Sequence, residues 1–268
     1  HRDWWHNYYP QSFVSLPDKK MENFYWAQMY KLASATRIGG GLLDNSGPWQ
    51  VLTPWPNAWW NLNVQLSYWS VYASNRLELG MPLVNAIGSN LNNLINNVPE
   101  AYRKDAAALP VATDFNLIGE TVNIPGTEKK AQVGNLPWIC HNLWLQYRFS
   151  MDESILRNTI FPTLRRAINF YLPFLKEDKQ EKLHLQRTFS PEYGIAEDCN
   201  YDIALLRWGC NTLLETTKIL SIDDELIPRW KQVIEKLTDY PQDANGMMIG
   251  KDVPFSRSHR HYSHLLMF

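Results

Sequence analysis

The stretch "NLPWICHNLWLQYRFS", Asn135–Ser150, decides how the chain is read. Its large apolar residues fall three to four apart, the period of an amphipathic helix. His141 and Trp144 share a face, as do Trp144 and Arg148, so one side belongs to the core and a few groups near the start reach a cleft. The same spacing runs through 151–178 ("MDESILRNTIFPTLRRAINFYLPFLKED"), 200–220 ("NYDIALLRWGCNTLLETTKIL") and 224–240 ("DELIPRWKQVIEKLTDY"). Pro162, which has no N–H to donate, suits the first turn of a helix that begins afresh after Phe161.

Upstream, Asp18 can cap a helix running from 18 to a glycine pair at Gly39 and Gly40, with Phe24, Met29, Leu32 and Ala35 near one face. A further segment passes from Asn63 through Val64, Leu66, Tyr68, Trp69 and Tyr72 to Gly80. "MPLVNAIGSNLNNLINNV" (81–98) follows, with Pro82 in its first turn. The short link makes these two an antiparallel pair. No stretch alternates convincingly enough to be a strand, and no linker, repeat or composition shift marks a domain boundary. Helix pairs joined in turn by short links and long polar loops (100–134, 184–198, 241–265) predict an all-α fold, an α/α toroid in which the long loops gather at one end around a cleft.

Composition narrows the function. With 26 basic and 27 acidic side chains, the formal charge of -1 leaves no electrostatic footprint for nucleic acid. The expected partner is small or uncharged. No run approaches a membrane span, and the three cysteines (Cys140, Cys199, Cys210) lack metal-ligand spacing and are expected to be buried free thiols. The "HRDWWHNYYP" start has no signal-peptide layout and reads as internal to a longer polypeptide. Twelve Trp, 13 Tyr and 10 Phe serve a core and sugar platforms equally well.

Four clusters could carry chemistry. In "WWNLNVQLSYW" (59–69), Asn61 and Asn63 would lie on opposite sides of a helix but on the same side of an extended segment. They are therefore expected on an extended lip leading into a helix, aimed at one target. In "TFSPEYG" (188–194), Pro191 keeps Ser190 extended and presents Glu192 in a loop. A carboxyl held among rings can stay protonated and act as a general acid at a glycosidic oxygen; the plainer alternative is a loop glutamate capping the next helix. "ATDFN" (112–116) offers Asp114 as a binding carboxylate, a base or a helix cap. "SRSHRHYSHL" (256–265) offers His259, His261 and His264 with Arg257 and Arg260. The spacing of these histidines suits hydroxyl donors or structural roles better than a metal site. Nucleophile-elbow, phosphate-loop and dinucleotide fingerprints are absent.

Together these segments resemble the catalytic domain of glycoside hydrolase family 95, known for α-L-fucosidases and also containing α-L-galactosidases. The landmarks follow family order over almost the whole chain: "WWNLNVQLSYW", "VATDFN", "LPWICHNLWLQYRFSMD", "FSPEYG" and "HRHYSHL". The resemblance implies an (α/α)6 barrel, incomplete in residues 1–268, flanked by β domains elsewhere in the parent chain. It further implies an inverting, exo-acting enzyme that removes a terminal α-L-fucosyl or related L-sugar from an oligosaccharide or polysaccharide, with no cofactor and no metal. Glu192 falls on the general acid. Asn61 and Asn63 fall on the amides that orient the attacking water. Trp60, Asp114, Trp138, His141, His259 and His261 are the implied substrate contacts. Secretion or a periplasmic location is expected from the family's action on external glycans.

The chain departs from the family in three ways. The family's downstream aspartate would lie beyond Phe268, the helices are fewer than a complete barrel needs, and the glutamate–tryptophan pair expected before "SRSHRH" is missing. The isolated fragment is accordingly expected to have little hydrolytic activity. The rival readings are another α/α-barrel carbohydrate enzyme such as a phosphorylase, a carbohydrate-binding or scaffold domain that lost catalysis, and a purely structural helical repeat.

Overall fold

The computed structural model describes residues 1–268 except 44, 46, 48–52, 54, 260 and 266–268, so Arg260 lies outside the described residues. Helices dominate it. In chain order they are α1 (Arg2–Tyr8), α2 (Lys19–Ala35), α3 (Asn63–Ala73), α4 (Met81–Ser89), α5 (Leu91–Asn96), α6 (Asn135–Ser150), α7 (Glu153–Ile155), α8 (Phe161–Asn169), α9 (Asn200–Leu220) and α10 (Ile227–Lys236). Among the described residues no helix is long and apolar enough to cross a membrane.

The helix signals act locally as expected. Asp18 caps α2 by accepting from the amides of Lys20 (2.8 Å) and Met21 (3.4 Å). Met29 and Ala33 face inward, whereas Phe24 is 62% exposed. The segment after Asn63 breaks earlier than Gly80: α3 stops at Ala73, and Asn75 takes a left-handed φ of 55°. Arg76 then turns inward, its guanidinium donating to the carbonyls of Tyr8 and Tyr9 and to Gln11, which ties α1 to the body. Before Pro162 the helix does not stop. It widens into a π-helical stretch, Leu156–Ile160, that continues into α8.

α9 is the central element. Along 21 residues it buries side chains from Asn200 to Leu220 and packs against α6, α8 and α10, while α3 packs on the other side of α6. Gly209 permits a close approach: a Cβ there would stand 2.3 Å from Ile168 Cδ1 on α8. All three cysteines are buried and free, and burial pushes their thiols well above the ordinary range.

The expectation of no strands is corrected. Among the described residues four two-stranded antiparallel pairs occur: β1 (Ala58–Trp59) with β2 (Ala112–Thr113), β3 (Leu175–Glu177) with β4 (Leu183–Leu185), β5 (Thr188–Ser190) with β6 (Gly194–Ala196), and β7 (Gln242–Asp243) with β8 (Gly246–Met247). Each strand has two or three residues, too few for an alternating pattern to emerge from sequence. The long 100–134 connection is ordered. Ala106–Leu109 are buried, and Asn97 holds the loop by donating to the Leu117 carbonyl (2.9 Å) and accepting from the Gly119 amide (3.3 Å).

Candidate active site

The asparagine pair sits on a turn between β1 and α3. Asn61 and Leu62 form the turn, and Asn63 is the first residue of the helix, so the expected extended lip is a tight turn instead. Its conformation is fixed from behind. Trp60 donates its backbone N–H to the Val111 carbonyl (2.8 Å) and its indole N–H to Thr113 Oγ1 (2.8 Å). The buried Gln65 side chain donates to the Trp60 carbonyl, and Asn142 on α6 donates to the Gln65 carbonyl (2.9 Å). The glutamine in N-x-N-x-Q thus satisfies a carbonyl that the turn would otherwise leave buried and unpaired.

Glu192 occupies the tip of the β5–β6 hairpin. The Tyr193 amide donates to the Ser190 carbonyl (3.1 Å), closing a β-turn with Pro191 second and Glu192 third. Proline fits the second position. The third carries a φ of 56°, the left-handed region that costs a non-glycine residue about 1–2 kcal/mol.

A strap of residues 253–259 and 261–265 buttresses this tip. Phe255 stacks on Tyr193 (5.4 Å between centroids), Arg257 lies over the Tyr193 ring and donates to its carbonyl (2.8 Å), and Ser263 Oγ meets Ser190 Oγ at 2.8 Å. From the strap, His261 reaches Glu192: Nε2 stands 3.3 Å from Oε2. His261 is 5% exposed, whereas the Glu192 side chain is 35% exposed. Glu192 therefore faces His261 and is partly open to solvent.

These pieces meet. Asn61, Asn63, Glu192 and His261 line one cavity of about 390 Å³ together with Asn45, Trp55, Trp59 and Leu62. The two tryptophans give it an aromatic wall, with rings edge to face at 5.1 Å. Sequence reasoning missed Trp55, Trp59, Leu62 and Asn45. The run "TPWPNAWW" carried the signal for the two rings, but nothing in it separates Trp59, which faces the cavity, from Trp60, which faces inward.

The other anticipated contacts lie elsewhere. Trp60 is fully buried and braces the turn. Trp138, 1% exposed, packs edge to face on Tyr201 in a small cluster against which Leu62 rests, so it backs the cavity from within. His141 packs on Trp208 (5.2 Å), and burial lowers its ionisation to about 4, leaving a neutral ring. His259 accepts from the His261 amide (3.1 Å) and lies beside Tyr193. Asp114 lines a neighbouring cavity, its Oδ1 accepting from the amides of Asn116 (2.9 Å) and Ile118 (2.8 Å). His264 stacks on Phe255 (4.5 Å), apart from Glu192's partner His261. Among the described residues no three His, Cys, Asp or Glu side chains are grouped to hold a metal ion.

A protein named Alpha-L-fucosidase 2 from Arabidopsis thaliana is 25% identical over 255 residues, covering 88% of this chain and 30% of its own length. Probable alpha-fucosidase A from Aspergillus niger (strain ATCC MYA-4892 / CBS 513.88 / FGSC A1513) is 26% identical over 141 residues, 50% of this chain and 17% of its own. A solved structure from the human microbiome carrying the name of a kojibiose phosphorylase superposes with a TM-score of 0.49 at 14% identity, over 70% of this chain and 29% of that one. The chain thus spans less than a third of the length of the curated relatives it matches. The Glycosyl hydrolase family 95 catalytic domain matches residues 10–268, and the chain belongs to that family.

Proposed function

We propose that this chain carries the acid side of an inverting, exo-acting glycosidase that removes a terminal α-L-fucosyl or closely related L-sugar from a glycan. The observation that carries the reading is that Asn61, Asn63, Glu192 and His261 line one cavity although they come from a turn, a hairpin tip and a strap far apart in sequence. The relatives' fucosidase names support the sugar class. The helix-rich architecture accords with part of an (α/α)6 toroid.

In this reading the terminal sugar enters with an apolar face toward Trp59 and Trp55, and its glycosidic oxygen toward Glu192. Protonated Glu192 donates to the leaving oxygen as the bond to the anomeric carbon breaks. The Asn61 and Asn63 amides hold a water on the opposite face, which attacks that carbon and inverts it. The water's proton passes to a carboxylate acting as the base. His261 Nε2, 3.3 Å from Glu192 Oε2, orients the carboxyl, and solvent returns a proton to it after product leaves. This cycle uses no cofactor.

Proton NMR of the full-length protein acting on an α-L-fucoside tests the reading. The first sugar released should be the β anomer, with the α anomer growing only by mutarotation. Initial release of the α anomer, or no cleavage of any α-L-fucoside, would overturn it.

A further inference from the structure

Glu192 and the residue after it hold the same strap by different routes. The Tyr193 hydroxyl accepts from the backbone amides of Ser256 (2.9 Å) and Arg257 (3.3 Å). In return the Arg257 guanidinium lies 4.7 Å from the Tyr193 ring centroid and donates to the Tyr193 carbonyl (2.8 Å). The clasp is reciprocal: a hairpin side chain takes the strap's backbone, and a strap side chain takes the hairpin's backbone. Spanning a ring and a carbonyl at once uses the planar, forked donors of a guanidinium, which an ammonium does not reproduce.

Further contacts turn the clasp into a circuit. The Tyr193 and His259 rings meet edge to face at 5.5 Å, His259 Nδ1 accepts from the His261 amide (3.1 Å), and His261 Nε2 stands 3.3 Å from Glu192 Oε2. The path leaves the hairpin at Tyr193 and returns to it at Glu192. Tyr193 thus places both members of the Glu192–His261 pair, one through a peptide bond and the other through His259. Such a hold is needed. A non-glycine residue stays at a φ of 56° only where its surroundings over-determine it, and β5 and β6 contribute three residues each. The Ser190–Ser263 bond fixes the near side of the turn, and the Tyr193–Arg257 clasp fixes the far side. Neither Tyr193 nor Arg257 is among the described residues that line the Glu192 cavity, so their influence on chemistry there passes through Glu192 and His261.

We infer that Tyr193 and Arg257 are positioning residues for proton transfer, whose clasp keeps the Glu192 carboxyl aimed at the leaving oxygen. The inference rests on the glycosidase reading above. An acid works only within hydrogen-bond reach of the atom it protonates, and a displacement of about 1 Å takes it out of that reach. The clasp therefore acts on kcat for substrates that need the proton, and little on their binding.

The test uses the full-length enzyme and two substrates, an alkyl α-L-fucoside, whose leaving oxygen needs a proton, and a dinitrophenyl α-L-fucoside, whose leaving group departs without one. Arg257→Met removes the guanidinium and keeps the side chain's length. It should lower kcat on the alkyl fucoside about tenfold, with KM nearly unchanged and a much smaller loss on the dinitrophenyl fucoside. Tyr193→Phe keeps the ring and loses the hydroxyl that grips the strap; it should shift the ratio of the two rates the same way, and it decides the matter if a thermal melt shows Arg257→Met unfolded. A clasp that only stabilised the fold would leave that ratio alone. An unchanged ratio in the folded variant overturns the inference, and Glu192→Gln still separating the two substrates then leaves the glycosidase reading standing. Failure of Glu192→Gln to separate them overturns that reading and this inference with it.

Discussion

Asp202 offers a quantitative test of how the Glu192 hairpin is anchored. It lies in the first turn of α9 with no exposed surface, and its two oxygens accept from Tyr171 Oη and Thr188 Oγ1, both at 2.6 Å. Thr188 opens β5, whose far end turns into Glu192. Burial raises the Asp202 ionisation from the ordinary 3.8 to about 7, against the two hydroxyl bonds, which pull it down. A folded-state value above the unfolded one means that the native protein binds the extra proton more tightly. The resulting stability is fully present below the unfolded value and is lost as pH rises through the folded one. At about 1.4 kcal/mol per pH unit, the native state gives up roughly 4 kcal/mol across that window. Asp202→Asn keeps the shape, cannot titrate, and turns an N–H₂ toward one hydroxyl, at a pH-independent cost of about 1–3 kcal/mol. Urea unfolding of both proteins at steps across the window should show the wild type's advantage shrinking, and reversing between about pH 4.5 and 6. A stability difference that stays constant with pH would refute the reasoning.

Other perturbations have equally definite outcomes. Gly209→Ala gains about 1 kcal/mol of helix propensity but drives a methyl to 2.3 Å from Ile168 Cδ1 and 2.8 Å from Cγ1, an overpacking cost of about 1–3 kcal/mol. A thermal melt should show a net loss, partly recovered by adding Ile168→Val. Arg76→Met leaves the carbonyls of Tyr8 and Tyr9 without their donor; stability should fall by about 2–4 kcal/mol, and limited proteolysis should cut between α1 and α2. Gln65→Leu leaves the Trp60 carbonyl unpaired and frees the Asn61 turn, so urea unfolding should show a loss of about 1–3 kcal/mol. Turnover of the full-length variant at a temperature where it remains folded should fall further than the stability loss alone explains.

Much of this was legible in the sequence, for identifiable reasons. Long helices such as α6 and α9 repeat their apolar period enough times for the pattern to show. Glu192 could be singled out because Pro191 before it and Gly194 after it announce a tight turn, and the structure sets that turn at a hairpin tip. The hairpin itself was hidden, since three-residue strands carry no period. The break after Ala73 was hidden too: it depends on Arg76 finding acceptors on Tyr8, Tyr9 and Gln11, partners more than sixty residues away in the chain. Trp60 and Trp138 show why aromatic content alone misleads, as both stand beside site residues yet point into the core. Trp59 was overlooked for the converse reason, because its role follows from pairing with Ala112 in a loop remote in sequence.

The central claim is that Glu192 delivers the proton to the leaving group, and the leaving group itself provides the sharpest test. Glu192→Gln in the full-length enzyme should be assayed on two α-L-fucosides, one with an alkyl or sugar leaving group that needs protonation and one with a strongly acidic dinitrophenol that does not. The value of kcat/KM should fall by about 10²–10⁴ on the first and by much less on the second. Equal losses on both, or wild-type turnover on the first, would contradict it.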